Sequence, residues 1–320
     1  MSASADGAPL TNFRMLLRVL LLLLFLPLTA APGIVEDVRF ALARNDFQTA
    51  ASMLAAYRSQ RGVDAEYVDA LSWVARGELE TGDFEQANKA AQEATKLALP
   101  LLNNSKLDQQ PHLVNGLGAA FEVQAQALSK QGQTQKAVLL LRQAIRTYGQ
   151  TSIRARLQKN LNLLVLLGKP APPLVIAEYL GAKPRPLPAL KGSVVLLFFW
   201  AHWCSDCKAE EPVIARLQAE LPPRDFVVVA PTQRYGYAGP QEYVTPQQET
   251  QYIEAVRQRY YSQLAGVAVP ISKQNFDLYG ASTTPTLVLL ARNGNVALYH
   301  PGAMAYSDLR SEIDKLLKAR

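Results

Sequence analysis

The stretch of sequence that decides the fold runs from Val194 to Cys207 and reads VVLLFFWAHWCSDC. Its first half is a continuous apolar run of β-branched, aliphatic and aromatic residues, which is typical of a strand covered on both faces. A helical pattern follows, so Cys204 and Cys207 stand where a buried strand gives way to a helix. The chain of 320 residues contains two cysteines in all. One close pair does not form a framework of structural disulfides.

The position of the cysteine pair predicts thiol chemistry. A thiolate at a helix N-terminus meets unpaired backbone N–H groups and the positive end of the helix dipole, which lowers its pKa. The thiolate is the nucleophilic form of cysteine. A second cysteine one helical turn further on is close enough to resolve a mixed disulfide. The spacing of Cys204 and Cys207 therefore predicts disulfide exchange.

The sequence around this stretch predicts an α/β domain. Its pattern reads as strand, helix, strand, helix, hairpin and helix, with an Asn-Gly turn in the hairpin. In chain order, the later predicted elements are a helix through Leu221, a strand Phe226–Ala230, a helix Pro246–Leu264, a hairpin Thr286–Tyr299 and a C-terminal helix Ser307–Lys318.

Three motifs carry a family resemblance that covers about 150 residues. They are residues 190–212 around the cysteines, GKPAP at residues 168–172, and TTPT at residues 283–286. Together they resemble the thioredoxin superfamily and, within it, the exported TlpA/ResA-type branch that reduces disulfides outside the cytoplasm. The resemblance implies an α/β thioredoxin-like fold, in which helices flank a central mixed sheet.

The resemblance also implies site roles. Cys204 would be the solvent-facing nucleophile and Cys207 the buried resolving thiol. Trp203 would flank the site and, with Thr284, face the substrate. Pro285 would be a cis-proline whose neighbouring backbone aligns a substrate strand; a cis bond is chemically permitted there because it precedes proline.

Glu210 matches the acidic residue that the ResA-like branch places near its cysteines. Phe198 stands where thioredoxin itself has a buried acid, so we expect that function to pass to Glu210. A buried carboxylate could relay protons to or from Cys207. The alternative is that Glu210 and its neighbour Glu211 are both solvated helix residues.

Other residues near the motif permit weaker expectations. The carboxylate of Asp206 opposes ionisation of Cys204, which favours a reducing couple. We expect His202 to be an exposed bystander. The tyrosine-rich segment 231–261 is either a substrate-facing insertion or a packed helix with an aromatic edge.

Residues 34–167 predict an all-α domain. Three similar turns, 44–50, 81–87 and 131–137, each end in alanine, and these alanines are 37 and 50 residues apart (50 to 87 to 137). The first spacing lies near the tetratricopeptide period, and the second requires an insertion at about residues 99–111. The stretch resembles tetratricopeptide repeats, which implies a surface for a peptide or protein partner. The alternative is a plain helical bundle.

The first residues predict export. Arg14 and Arg18 precede the apolar run 19–28, and small residues follow as far as Gly33. This pattern is typical of a secretory signal, either cleaved or kept as an N-terminal anchor. The predicted organisation is therefore a signal or anchor over 1–33, a helical domain over 34–167 and a thioredoxin-like domain over 168–320.

These observations predict an exported thiol–disulfide oxidoreductase that reduces protein disulfides. Its partners would be cysteine-containing substrate proteins and an upstream electron-donor thiol protein. Basic residues are scattered despite the net charge of +6, so we expect no nucleic-acid partner. The three histidines are also scattered, and we expect neither metal nor cofactor. The alternative function is an interaction module whose thioredoxin-like domain is a scaffold or a redox sensor.

Overall fold

The computed structural model describes residues 33–102, 106–264 and 266–319. The predicted signal or anchor lies outside these ranges except for Gly33. No helix within them is long and apolar enough to cross a membrane.

The first half of the described chain is helical, as predicted. Asp46, Asp64 and Asp83 begin three of its helices, and each carboxylate accepts the backbone N–H three residues further on. Such caps satisfy donors that a helix cannot satisfy internally. The helices are α1 Ile34–Leu42, α2 Phe47–Arg61, α3 Ala65–Glu80, α4 Phe84–Leu101, α5 Pro111–Lys130, α6 Thr134–Tyr148 and α7 Arg154–Val165.

The three similar turns each join two helices. Each turn contains a residue in the left-handed region, and these residues are Asn45, Gly82 and Gly132. The alanines that end the three copies, Ala50, Ala87 and Ala137, are fully buried. Because alanine is small, helices can approach closely there, and α3 packs against both α4 and α5. The tetratricopeptide assignment itself stays a prediction.

The second half is an α/β sandwich, and the predicted fold class is confirmed. The sheet has the strand order β1-β6-β3-β2-β7-β8, in which β2 runs parallel to β3 and antiparallel to β7. The strands and helices are β1 Tyr179–Gly181, β2 Val194–Phe199, α8 Ser205–Glu220, β3 Phe226–Val229, β4 Tyr237–Ala238, β5 Gln241–Glu242, α9 Pro246–Tyr260, β6 Ala268–Pro270, α10 Lys273–Tyr279, β7 Thr286–Leu290, β8 Val296–Pro301 and α11 Tyr306–Lys318.

Strand β2 is buried along its whole length because both faces of the sheet are covered. Leu196 and Phe198 contribute to a core with α8, α9 and α11. Leu197 and Phe199 contribute to the opposite core, which includes side chains of α10. This two-sided burial explains the continuous apolar run in the sequence.

Five short elements of this half were not predicted. Strands β4 and β5 have two residues each, strands β1 and β6 have three each, and α10 has seven. Such short elements carry too few periods to stand out from a loop. Helix α9 also ends at Tyr260, and a single 3-10 turn at Ser262–Leu264 follows it.

Helix α7 packs against α10, which joins the helical half to the sandwich. Gly280 ends α10 in the left-handed conformation, with φ of 62°. A Cβ atom added there would lie 2.2 Å from the backbone nitrogen of Lys159 in α7. The Asn162 side chain also donates to the Leu278 carbonyl at 3.4 Å. Glycine is therefore required at 280 for both its backbone conformation and its lack of a side chain.

We expect Gly280→Ala to lower the free energy of unfolding by more than about 3 kcal/mol, because strain and a backbone clash add. The matched control is Gly82→Ala, whose φ is 85° but whose added Cβ would meet nothing within 4 Å. That change should cost about 1 kcal/mol of strain alone. Urea unfolding followed by circular dichroism measures both, and equal losses would contradict the close contact.

Candidate active site around Cys204 and Cys207

Cys204 and Cys207 form a disulfide at the N-terminus of α8. Their Cα atoms are 5.3 Å apart, within the usual range for a disulfide. Cys204 is the N-cap residue, and its Sγ accepts the backbone N–H of Cys207 at 3.0 Å. Cys204 is 3% exposed and Cys207 is fully buried. The expectation of a solvent-facing Cys204 therefore overstated its exposure.

The loop before β7 lies against this disulfide. The Thr284–Pro285 peptide bond is cis. The carbonyl oxygen of Thr284 is 3.4 Å from Cys204 Sγ, so the backbone next to the proline reaches the outer cysteine. Trp203 is 49% exposed beside them. The structure thus brings together five of the predicted site residues: Trp203, Cys204, Cys207, Thr284 and Pro285.

Glu210 lies one turn beyond Cys207 on α8 and is 3% exposed, so it is not a solvated residue. Its carboxylate accepts the Met304 N–H, with its two oxygens at 3.4 and 3.3 Å. Burial raises the pKa of Glu210 from 4.5 to about 7, and the Met304 N–H offsets part of that effect. The carboxyl group can therefore gain or lose a proton near neutral pH.

Comparison with known proteins agrees with this geometry. Residues 189–317 match the protein family described as a thioredoxin-like domain. This part of the chain is a thioredoxin-like domain. The chain is 24% identical over 156 residues to thiol-disulfide oxidoreductase ResA of Geobacillus thermodenitrificans, covering 48% of this chain and 79% of that protein.

Two further relatives are similar to the thioredoxin-like domain. Thioredoxin-like protein YneN of Bacillus subtilis is 25% identical over 148 residues, covering 46% of this chain and 78% of that protein. A solved structure of a thiol:disulfide interchange protein of the thioredoxin family from Chlorobium tepidum is 19% identical. The match covers 47% of this chain and 96% of the Chlorobium tepidum chain, with a TM-score of 0.36.

The thioredoxin-like domain holds a second buried carboxylate on α8, so the alternative of two solvated glutamates is wrong. Glu211 is 4% exposed, and its Oε1 atom has no hydrogen-bond partner among the described residues. Burial raises its pKa, although the Gln263 backbone donates a hydrogen bond to it. Its negative charge also raises the pKa of the buried Tyr261 hydroxyl, in addition to the larger effect of burial.

Trp200 is buried in the same core as Cys204 and Cys207. Its ring packs on Tyr261 with centroids 4.6 Å apart, and its Nε1–H donates to the Ala230 carbonyl at 3.0 Å. Its own carbonyl accepts the Thr232 hydroxyl at 2.9 Å. Every polar group that Trp200 offers here is therefore used to join β2 to the chain after β3.

His202 is 1% exposed, so the expectation of an exposed bystander is wrong. Its Nε2 atom lies 3.3 Å from Oε1 of Glu249, without the angles of a hydrogen bond. Three tyrosine rings surround the imidazole edge-on, with centroids 4.9 to 5.5 Å away: Tyr235, Tyr237 and Tyr252. Burial lowers the pKa of His202, and the nearby Glu249 opposes part of that shift.

Glu249 connects this buried histidine to the exposed face of the site. Its carboxylate accepts the backbone N–H groups of Tyr235 and Gly236, the second at 2.8 Å. The Tyr235 ring in turn meets the Trp203 ring edge-on, with centroids 5.6 Å apart. The tyrosine-rich segment is therefore packed at its start, whereas Tyr243 is almost fully exposed. No local pattern in the sequence singles out Glu249.

We expect Glu249→Ala to lower the free energy of unfolding by about 1–3 kcal/mol, because two partly buried N–H donors would lose the buried carboxylate that accepts them. Glu249→Gln, which keeps one acceptor oxygen, should cost less. Urea unfolding at pH 7 measures the loss. Glu242→Ala is the matched control because this glutamate is exposed on the neighbouring β5, and a loss of the same size there would contradict the assigned role.

Glu210 should make the stability of the oxidised protein depend on pH. Its pKa is raised in the folded state, so its favourable contribution is complete below about pH 4.5 and is lost as the pH rises through about 7. We expect the wild type to lose on the order of 1–3 kcal/mol relative to Glu210→Gln across that window. Unfolding free energies measured from pH 4 to 9 check this. Glu242→Gln should follow the wild type, and a constant difference between wild type and Glu210→Gln would contradict the shift.

Proposed function

We propose that this chain, a thiol–disulfide oxidoreductase of the thioredoxin-like type, is an exported reductase of protein disulfides. Cys204 is the nucleophile and Cys207 the resolving thiol. The observation that carries the proposal is the placement of the Cys204–Cys207 disulfide at the N-terminus of α8, against the Thr284 carbonyl. That placement gives a reactive sulfur a stabilising helix end and a backbone edge for a substrate.

Reduction of a substrate begins at Cys204. In the reduced enzyme the Cys207 N–H and the helix dipole stabilise the Cys204 thiolate. The thiolate attacks one sulfur of the substrate disulfide, and a mixed disulfide forms between Cys204 and the substrate. The other substrate sulfur leaves as a thiolate and takes up a proton. The Thr284 backbone and the exposed Trp203 hold the substrate beside the sulfur.

Cys207 completes the exchange. It gives up its proton, and its thiolate attacks Cys204 Sγ, so the enzyme disulfide forms and the second substrate sulfur leaves as a thiolate. The substrate thus gains two electrons and two protons, which the enzyme dithiol loses. Glu210, one turn away and with a pKa of about 7, is the proposed acceptor of the Cys207 proton. A dithiol protein then returns electrons to the enzyme.

Asp206 supports the direction of electron flow. It lies in the first turn of α8, two residues after Cys204, and its side chain is exposed. A carboxylate so placed opposes a negative charge on Cys204 and offsets part of the helix-dipole effect. A less stabilised thiolate favours the disulfide form, and hence a more reducing couple.

The rest of the chain supports export and partner binding. The pattern of residues 14–33 is that of a secretory signal or anchor. The helical domain proposed for 34–167 would dock a peptide or protein partner, and the thioredoxin-like domain proposed for 168–320 would carry the chemistry. The substrate class is cysteine-containing proteins, and an upstream thiol protein supplies electrons.

The reduction potential of the Cys204–Cys207 couple tests this function. After equilibration of the full chain in glutathione or dithiothreitol buffers, we expect a midpoint near about −270 mV or lower. A value of about −120 mV would mean that the couple is an oxidant and would contradict the reductase proposal. Cys207→Ser should trap a mixed disulfide with a substrate, and Cys204→Ser should not. If no reversible couple appeared, the thioredoxin-like domain would act as a scaffold.

A further inference from the structure

A cleft of about 360 Å³ lies in the helical half, between α1 and α3. Its wall combines apolar side chains with two guanidinium groups, and the residues that matter here are Arg39, Leu42, Phe47, Trp73 and Arg76. Ligand sites share this composition, in which a mostly apolar concavity carries a few convergent polar groups. None of these residues belongs to the disulfide site.

The two guanidinium groups share one aromatic ring. The Cζ atom of Arg39 lies 4.4 Å from the centre of the Trp73 ring, and that of Arg76 lies 4.2 Å from it. Stacking on an aromatic face attracts a cation but leaves its N–H donors free for another partner. Trp73 therefore positions both guanidinium groups in the cleft and leaves the positive charge of each intact.

Neither arginine has a counterion in the part of the chain that the structure describes. Across 33–102, 106–264 and 266–319, no carboxylate lies within 4 Å of either guanidinium. The carboxylates whose charges reach Arg76, those of Glu122 and Asp69, already have other partners. Glu122 pairs with Arg156 at 2.6 Å and with Lys159 at 2.8 Å, and Asp69 pairs with His112 at 2.9 Å.

Arg76 is half-buried in this uncompensated state. Burial lowers the pKa of Arg76 to about 10, repulsion from Arg156 adds to that effect, and the attraction of Glu122 and Asp69 opposes part of it. The exposed Glu80 also lines the cleft, but it forms no ion pair with either arginine. A partly desolvated cation without a partner is costly, and an anion bound in the cleft would relieve that cost.

We propose that this cleft binds a carboxylate that carries an apolar group. A carboxylate accepts the planar guanidinium fork through two parallel hydrogen bonds. Leu42 and Phe47 line the same cleft and would cover the apolar part of the ligand. Two sources present this chemistry, namely a free small organic acid and the C-terminal residue of a polypeptide. The site would make the helical half a ligand-binding module in its own right.

Calorimetric titration of the full chain with N-acetyl-leucine tests the cleft, with N-acetyl-leucinamide as the matched neutral probe. We expect the acid to bind at least about tenfold more tightly than the amide, because charge-assisted hydrogen bonds contribute that much. Arg76→Gln and Arg39→Gln should each weaken binding of the acid at least about tenfold. Arg142→Gln, at an exposed position on α6, is the control and should bind like the wild type.

Two further titrations identify the source. A hexapeptide that ends in leucine with a free carboxylate, tested against its C-terminal amide, should bind more tightly than N-acetyl-leucine if polypeptide ends are the ligand. Equal or weaker binding of the peptide assigns the cleft to small acids. Inorganic phosphate should bind more weakly than N-acetyl-leucine, since it lacks the apolar group.

Three results would overturn the proposal: equal binding of acid and amide, phosphate binding as tightly as the acid, or binding indifferent to both arginine substitutions. The exposed Arg39 provides a second variant should Arg76→Gln disturb packing. The rate of disulfide exchange should be unchanged in Arg39→Gln. Failure of the cleft proposal and failure of the proposed reductase would therefore be seen in separate assays.

Discussion

The antiparallel pairing of β2 with β7 determines where the reacting groups meet. Its register sets Phe199 opposite Thr286, so the C-terminal end of β2 lies beside the N-terminal end of β7. The chain that leaves β2 reaches Cys204 within a few residues, and the chain that enters β7 has just passed Thr284. A shift of this register by one residue would exchange the side chains that β2 presents to its two cores. The observed register thus holds the disulfide against the Thr284 carbonyl.

Three buried glutamates near the site differ in how their burial is compensated. Glu249 accepts two backbone N–H groups, whereas Glu210 shares the single Met304 N–H between its oxygens. Glu211 keeps one oxygen without a partner. Donors that approach a carboxylate stabilise its charged form, and burial without them favours the protonated form. Glu249 is thereby suited to hold a loop, while Glu210 is suited to exchange a proton.

The sequence predicted what depends on local pattern. The apolar run of β2, the cysteine spacing and the Asn-Gly hairpin are local signals, and each led to the observed element. Burial of neighbours on one helix is not local: Glu210 faces the Met304 backbone, while Glu211 faces the turn at Gln263. Helix α8 is covered on both of these sides, so adjacent acidic residues that resemble a solvated pair are both buried. The burial of His202 is not a local property either, because Glu249 contacts it from a helix that is distant in sequence.

Residues 280–284 connect the contact between the helical half and the sandwich to the disulfide site. Gly280 packs against the α7 backbone at one end of this segment, and Thr284 touches Cys204 at the other. The Tyr299 hydroxyl donates to the Tyr279 carbonyl at 2.8 Å and also reaches that of Gly280, which ties the start of the segment to β8. The backbone that faces the disulfide is therefore supported by α7 as well as by the sheet.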